Sequence, residues 1–127
     1  MEPLTREASR STPRVDFDGK GVLVIEGESY PEDAAGFYGP VLEWLRRYVS
    51  EPAERTTVDL KLSYLNTSSA KCMMTLLALL EQIPDGPRRV RIIWRYEAEN
   101  EMAYECGREL TEGLRLGVTM AREGEQR

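Results

Sequence analysis

The chain concentrates its reactive side chains in one stretch, Asn66-Thr67-Ser68-Ser69. Hydroxyls and a carboxamide at this density can do three things. They can cap a helix by accepting hydrogen bonds from its first N–H groups. They can help to hold an anion where those N–H groups and the helix dipole point at it. Or one hydroxyl can itself accept a phosphoryl group. The flanking residues place the cluster. Before it, Val58, Leu60, Leu62 and Tyr64 alternate with Asp59, Lys61 and Ser63, the period of a half-buried strand. After it, Cys72, Met73, Leu76, Leu79, Leu80 and Ile83 recur at helical spacing. The four residues therefore lie where the C-terminal end of a strand meets the N-terminus of a helix, with its unpaired N–H groups.

Other chemistries are excluded by what the chain lacks. It has no histidine, which removes Ser-His-Asp and Cys-His catalysis, histidine general bases and nearly all zinc sites. It has neither a Walker-type phosphate loop nor a GxGxxG motif, so no cofactor is expected. An enzyme would have to run on carboxylates alone, and these scatter over polar helix faces. The formal net charge of −5 argues against nucleic acid and against an anionic membrane surface as partners. No apolar run reaches transmembrane length and no signal-peptide core opens the chain, so a cytoplasmic location is expected. The two cysteines, Cys72 and Cys106, fall on apolar helix faces without metal-type spacing and read as buried structural thiols.

A length of 127 residues allows one domain with a real core. Residues 1–12 are polar and read as a disordered tail, residues 13–121 as the folded α/β domain, and residues 122–127 as a flexible C-terminus. Strands are expected at 14–17 and 22–26 around a glycine-rich turn, then at 56–64, 90–96 and 116–120. Helices are expected at 32–50, 68–83 and 99–114. Pro40 interrupts the first helical stripe, by a kink or as the opening residue of a shorter helix. Ile93 on the second face of its strand suggests burial on both sides. Met102, Cys106 and Leu110 are expected to face inward, and Gly107 to allow close helix packing. The order β-β-α-β-α-β-α-β gives a mixed sheet packed against about three helices.

Several blocks together resemble the SiaC-type regulatory phosphoproteins of bacteria. These are Ser11-Thr12-Pro13, Gly27-Glu28-Ser29-Tyr30-Pro31-Glu32, Phe37-Tyr38, Glu43-Trp44-Leu45, Leu65 to Lys71, Trp94-Arg95-Tyr96, Asn100-Glu101-Met102 and Glu105-Cys106-Gly107. The resemblance spans about residues 11–112 and implies a fold similar to the STAS domains of anti-sigma-factor antagonists. It further implies a partner-switching protein rather than an enzyme. In such a system a Ser/Thr kinase with a histidine-kinase-like ATPase domain modifies one hydroxyl, and a PP2C-type phosphatase reverses it. The unmodified form binds and activates an effector, a diguanylate cyclase, raising cyclic di-GMP and favouring biofilms. The modified threonine of the family's Asn-Thr-Ser-Ser motif maps onto Thr67, with Ser68 and Ser69 as lesser candidates.

A helical wheel of the segment after the junction puts Met74 with Ala70, Lys71, Ala78 and Glu81 opposite the core side, and Leu77 at the boundary. The expected partner-binding set is Asn66, Ser68, Ser69, Ala70, Lys71, Met74, Leu77 and Ala78, with Ser29 and Tyr30 from a neighbouring strand end. Two other classes compete with this reading. A small anion-binding domain or carboxylate-based enzyme would need a pocket above Thr67 with converging charged groups. A structural oligomerisation module would need only a self-complementary face.

Overall fold

The computed structural model describes residues 1–124. Strand β1 (Leu4–Arg6) leads into the hairpin β2 (Arg14–Asp18) and β3 (Val22–Ser29). Helix α1 (Ala34–Ser50), strand β4 (Thr56–Leu65), helix α2 (Thr67–Leu80), the one-turn helix α3 (Gly86–Arg89), strand β5 (Val90–Glu97), helix α4 (Glu101–Thr111) and strand β6 (Gly117–Glu123) follow. The six strands form one sheet in chain order. β1 to β3 pair antiparallel, and β3 to β6 pair parallel through helical crossovers. Successive right-handed crossovers that move the same way across a sheet place their helices on one face. The burial pattern agrees. Val15, Phe17, Leu23, Ile25, Val58, Leu60, Leu62, Ile92 and Trp94 are buried on that face, while their alternating neighbours are not.

The expected disordered tail at 1–12 is corrected by β1. Leu4 pairs with Phe17 and Arg6 with Val15, and the Trp44 indole donates to the Glu2 carbonyl at 2.7 Å. Three residues are too short for the hydrophobic period to reveal a strand, and the pairing partner supplies the order. At the other end, β6 takes in Arg122 and Glu123 of the segment expected to be flexible, and residues 125–127 lie outside the described residues.

The hairpin turn needs a glycine. Gly21 has φ +113°, and a side chain there would run into the Arg55 carbonyl. The Gly21 carbonyl in turn accepts from the Thr57 N–H at 2.7 Å and joins the hairpin to β4. Pro40 lies within a continuous α1, on its exposed side, so the freed Gly36 carbonyl can face water. The core under α1 is aromatic: Trp44 stacks on Tyr48 with centroids 5.3 Å apart, and Phe17 tilts against Trp44 at 5.2 Å.

Two orientation readings are corrected. Ile93 is only half-buried, because among the described residues the second face of the sheet carries no helix and is instead laced by ion pairs. Lys61 sits 2.8 Å from Glu123 and 3.0 Å from Glu97, and Arg95 reaches Asp59 at 2.8 Å. Hydrogen bonds to Glu123 and then Glu97 hold the Lys61 ammonium above its ordinary pKa. On α4 the small residues Ala103 and Gly107 are buried and Cys106 and Leu110 pack partly buried against the core, as expected, but Met102, also expected inward, is 77% exposed. Close approach set the helix rotation. A methyl group on Gly107 would meet the Trp94 ring 2.5–2.6 Å away, and the Trp94 indole donates to the Ala103 carbonyl at 3.0 Å.

Candidate functional site

The junction is built from the ends of β3 and β4, the first turn of α2 and one residue of α1. Asn66 is the N-cap of α2. Its side chain accepts from the Ser69 N–H at 2.8 Å, and its carbonyl accepts from the Ala70 N–H at 2.9 Å. Its own N–H donates to the Ser29 carbonyl at 2.9 Å, which ties the cap to the end of β3. These bonds use up the N–H groups of Ser69 and Ala70. Among the described residues, the N–H groups of Thr67 and Ser68 remain as the uncommitted donors of the helix start. No acidic residue occupies the first turn, so the positive end of the dipole meets no compensating carboxylate from its own helix.

The hydroxyls divide sharply. Thr67 and Ser68 are exposed, whereas Ser69 is fully buried. Ser29, also fully buried, donates to Ser69 Oγ at 2.8 Å and lies 2.7 Å from Tyr38 Oη. Because the single Ser29 proton goes to Ser69, Tyr38 must donate to Ser29. A buried chain Tyr38–Ser29–Ser69 thus fastens α1, β3 and the first turn of α2 together. Burial pushes the Tyr38 phenol up to about 12, against smaller opposing effects from its hydrogen bonds.

The candidate residues fall into three sets. Thr67, Ser68, Lys71, Met74 and Ala78 are exposed. Of these, Thr67, Lys71, Met74 and Ala78 follow one stripe at steps of four, three and four residues. Asn66, Ala70 and Tyr30 are half-buried at the margin. Ser29, Ser69 and Leu77 are buried and unavailable to a partner, which corrects their expected role. The wheel misplaced Leu77 because α2 is covered on two sides, by the sheet and by its contact with α1. Tyr64 is also corrected: expected to face the core, it is 48% exposed. Gly27 pairs with Leu62 but Glu28 pairs with Tyr64, so Ser63 is an extra residue in β4 and Tyr64 turns outward against the Tyr30 ring, centroids 6.0 Å apart.

Tyr38 is the site residue that sequence reasoning missed. Its position on the apolar stripe of α1 marks it as core, and only its hydroxyl hints at a polar partner. Asn100 was another. It caps α4 by accepting from the Ala103 N–H and donates to the Ser63 carbonyl at 3.1 Å, bracing the bulged end of β4.

The described clefts lie away from this shoulder. One of about 620 Å³, lined by Glu81, Asp85, Arg115 and Leu116 among others, sits at the opposite end of α2. Among the described residues no group of three or more Cys, Asp or Glu side chains is placed to hold a metal ion, and no helix is long and apolar enough to cross a membrane.

Comparison with known proteins agrees with this architecture. The model of the SiaC family regulatory phosphoproteins matches residues 6–122. An uncharacterized protein of Pseudomonas aeruginosa strain UCBPP-PA14 is 38% identical over 113 residues, 88% of this chain and 90% of that protein. SiaC of Pseudomonas aeruginosa superposes with a TM-score of 0.87 at 33% identity, over 97% of this chain and 100% of that one. The activator SiaC, crystallised in complex with the diguanylate cyclase SiaD, also superposes at 0.87, with 35% identity over 94% of this chain and 99% of the other. The chain belongs to the SiaC family and is a regulatory phosphoprotein, not an enzyme.

Proposed function

We propose that this protein is a phosphorylation-controlled activator of a diguanylate cyclase, switched at Thr67. A Ser/Thr kinase with a histidine-kinase-like ATPase domain transfers the γ-phosphoryl group of ATP to Thr67 Oγ1 and leaves ADP. A PP2C-type phosphatase hydrolyses the ester, returning the hydroxyl and inorganic phosphate. The unmodified form binds the cyclase in the cytoplasm and raises cyclic di-GMP, with biofilm formation as the output. The effector class is suggested by the related SiaC bound to SiaD.

The observation that carries the choice of residue is the division of the hydroxyls. Ser69 is buried and hydrogen-bonded, while Thr67 is exposed at the first position of α2. Ser68 is also exposed, but Thr67 shares the stripe of Lys71, Met74 and Ala78 that forms the proposed partner surface. A phosphate at Thr67 adds about −1.5 to −2 charges beside the uncommitted N–H groups of Thr67 and Ser68, so the fold tolerates it. A partner packed on the same stripe would have to bury that dianion. The cost is several kcal/mol, comparable with the roughly 8 kcal/mol that hold a micromolar complex together.

Site-resolved phosphopeptide mass spectrometry on protein from its native host tests the reading. A phosphate on Thr67 that a PP2C-type phosphatase removes is the expected result. Thr67→Ala is expected to keep the cyclase bound and block modification, and Thr67→Asp to weaken binding. Full cyclase activation by protein quantitatively phosphorylated at Thr67 would overturn it.

A further inference from the structure

We propose that Lys71 is the built-in counter-cation of the phosphate on Thr67, an inference that rests on the phosphorylation site just described. Thr67 and Lys71 are four residues apart on α2 and both are exposed. That spacing brings their Cβ atoms to about 5–6 Å, and an anion N-terminal to a lysine at this spacing is the favourable orientation. The ammonium is free to respond. The ion pairs of the described residues engage Arg14, Arg46, Lys61, Arg88 and Arg95, and Lys71 joins none of them. Lys71 meets Thr75 only through its backbone carbonyl, which accepts from the Thr75 hydroxyl and leaves the ammonium uninvolved. With no carboxylate in the first turn, and with Thr67, Ser68, Met74 and Thr75 at the positions three and four residues either side, the exposed Lys71 has no neighbouring anion within one turn of its own helix until the phosphate arrives. Phosphorylation then changes two things at once: it places a dianion on the stripe and draws the Lys71 ammonium toward it, away from any partner.

The test uses the full chain with phosphothreonine installed at position 67, in three forms: native at 71, Lys71→Gln and Lys71→Arg. Phosphorus-31 NMR reads the second ionisation of the phosphate, which lies near pH 6 in a free phosphoamino acid. In low salt the ionisation is expected to rise by about 0.3 pH unit in Lys71→Gln, while Lys71→Arg keeps the native value. Molar salt is expected to erase the difference, because it screens an exposed pair. Identical titrations in all three forms at low salt would overturn the proposal. So would a rise in Lys71→Arg equal to that in Lys71→Gln, since it would show that charge at this position is not what matters. Because the phosphate is installed rather than enzymatically added, this outcome is separate from the mass-spectrometric test. The protein can fail to be phosphorylated in its host and still pair the two groups, or be phosphorylated and not pair them.

Discussion

Tyr38→Phe isolates the buried hydroxyl chain that seats α2 and yields a quantitative, sign-changing prediction. The substitution removes one oxygen and leaves the ring in place. Ser29 keeps its bond to Ser69 but loses the 2.7 Å bond from Tyr38. A net hydrogen bond is worth about 0.5–1.5 kcal/mol, so near neutral pH the variant is expected to be less stable by about 1 kcal/mol. At alkaline pH the order reverses. The folded phenol ionises only at about 12, against 10.0 for an unperturbed tyrosine, because burial disfavours the phenolate. The unfolded state therefore releases this proton first as pH rises above 10. The stability tied to it is intact below pH 10 and is lost on the way to 12. The full loss is about 2–3 kcal/mol, since each pH unit between the folded and unfolded ionisations is worth about 1.4 kcal/mol. The variant has no such proton to lose, so the two stability curves should cross between about pH 10.5 and 11. Urea unfolding of both proteins at fixed ionic strength, from pH 7 to 12, measures the curves directly. Other alkaline effects, such as the Lys61 network, are common to both proteins and cancel in the difference. Parallel curves, or a variant as stable as the parent at pH 7, would refute the reasoning that Tyr38 is a buried, neutral donor in this chain.

Further expectations follow from the same geometry. Asn66→Ala removes the cap on the Ser69 N–H and should cost about 1 kcal/mol, read as a lower urea midpoint with an unchanged slope. Gly107→Ala drives a methyl group into the Trp94 ring and should cost about 1–3 kcal/mol with a change in tryptophan fluorescence. Met74→Glu, at a side chain 58% exposed, should leave the melting temperature nearly unchanged while weakening cyclase binding in a titration. If binding is unaffected, the α2 stripe is not the contact surface.

The sequence alone determined the strand–cluster–helix junction, because a period of two giving way to a period of 3.6 is a local signal. It also placed Asn66 in a cluster suited to capping, and determined the mixed α/β order and, through its combination of motifs, the family. The tertiary structure decided what depends on residues distant in the chain. β1 exists because the edge of β2 is there to pair with it. α4 turns Ala103 and Gly107 inward, rather than Met102, because the Trp94 ring admits nothing larger. Tyr64 points out because one extra residue in β4 shifts the register against β3. The three hydroxyls of Thr67, Ser68 and Ser69 are near-equivalents in the sequence. Ser69 is taken out of play by Ser29, forty residues earlier, and by Tyr38 beyond it. Burial and hydrogen bonding across such separations leave no periodic trace in the chain, so only the folded molecule separates the hydroxyls that can react from the one that holds the helix in place.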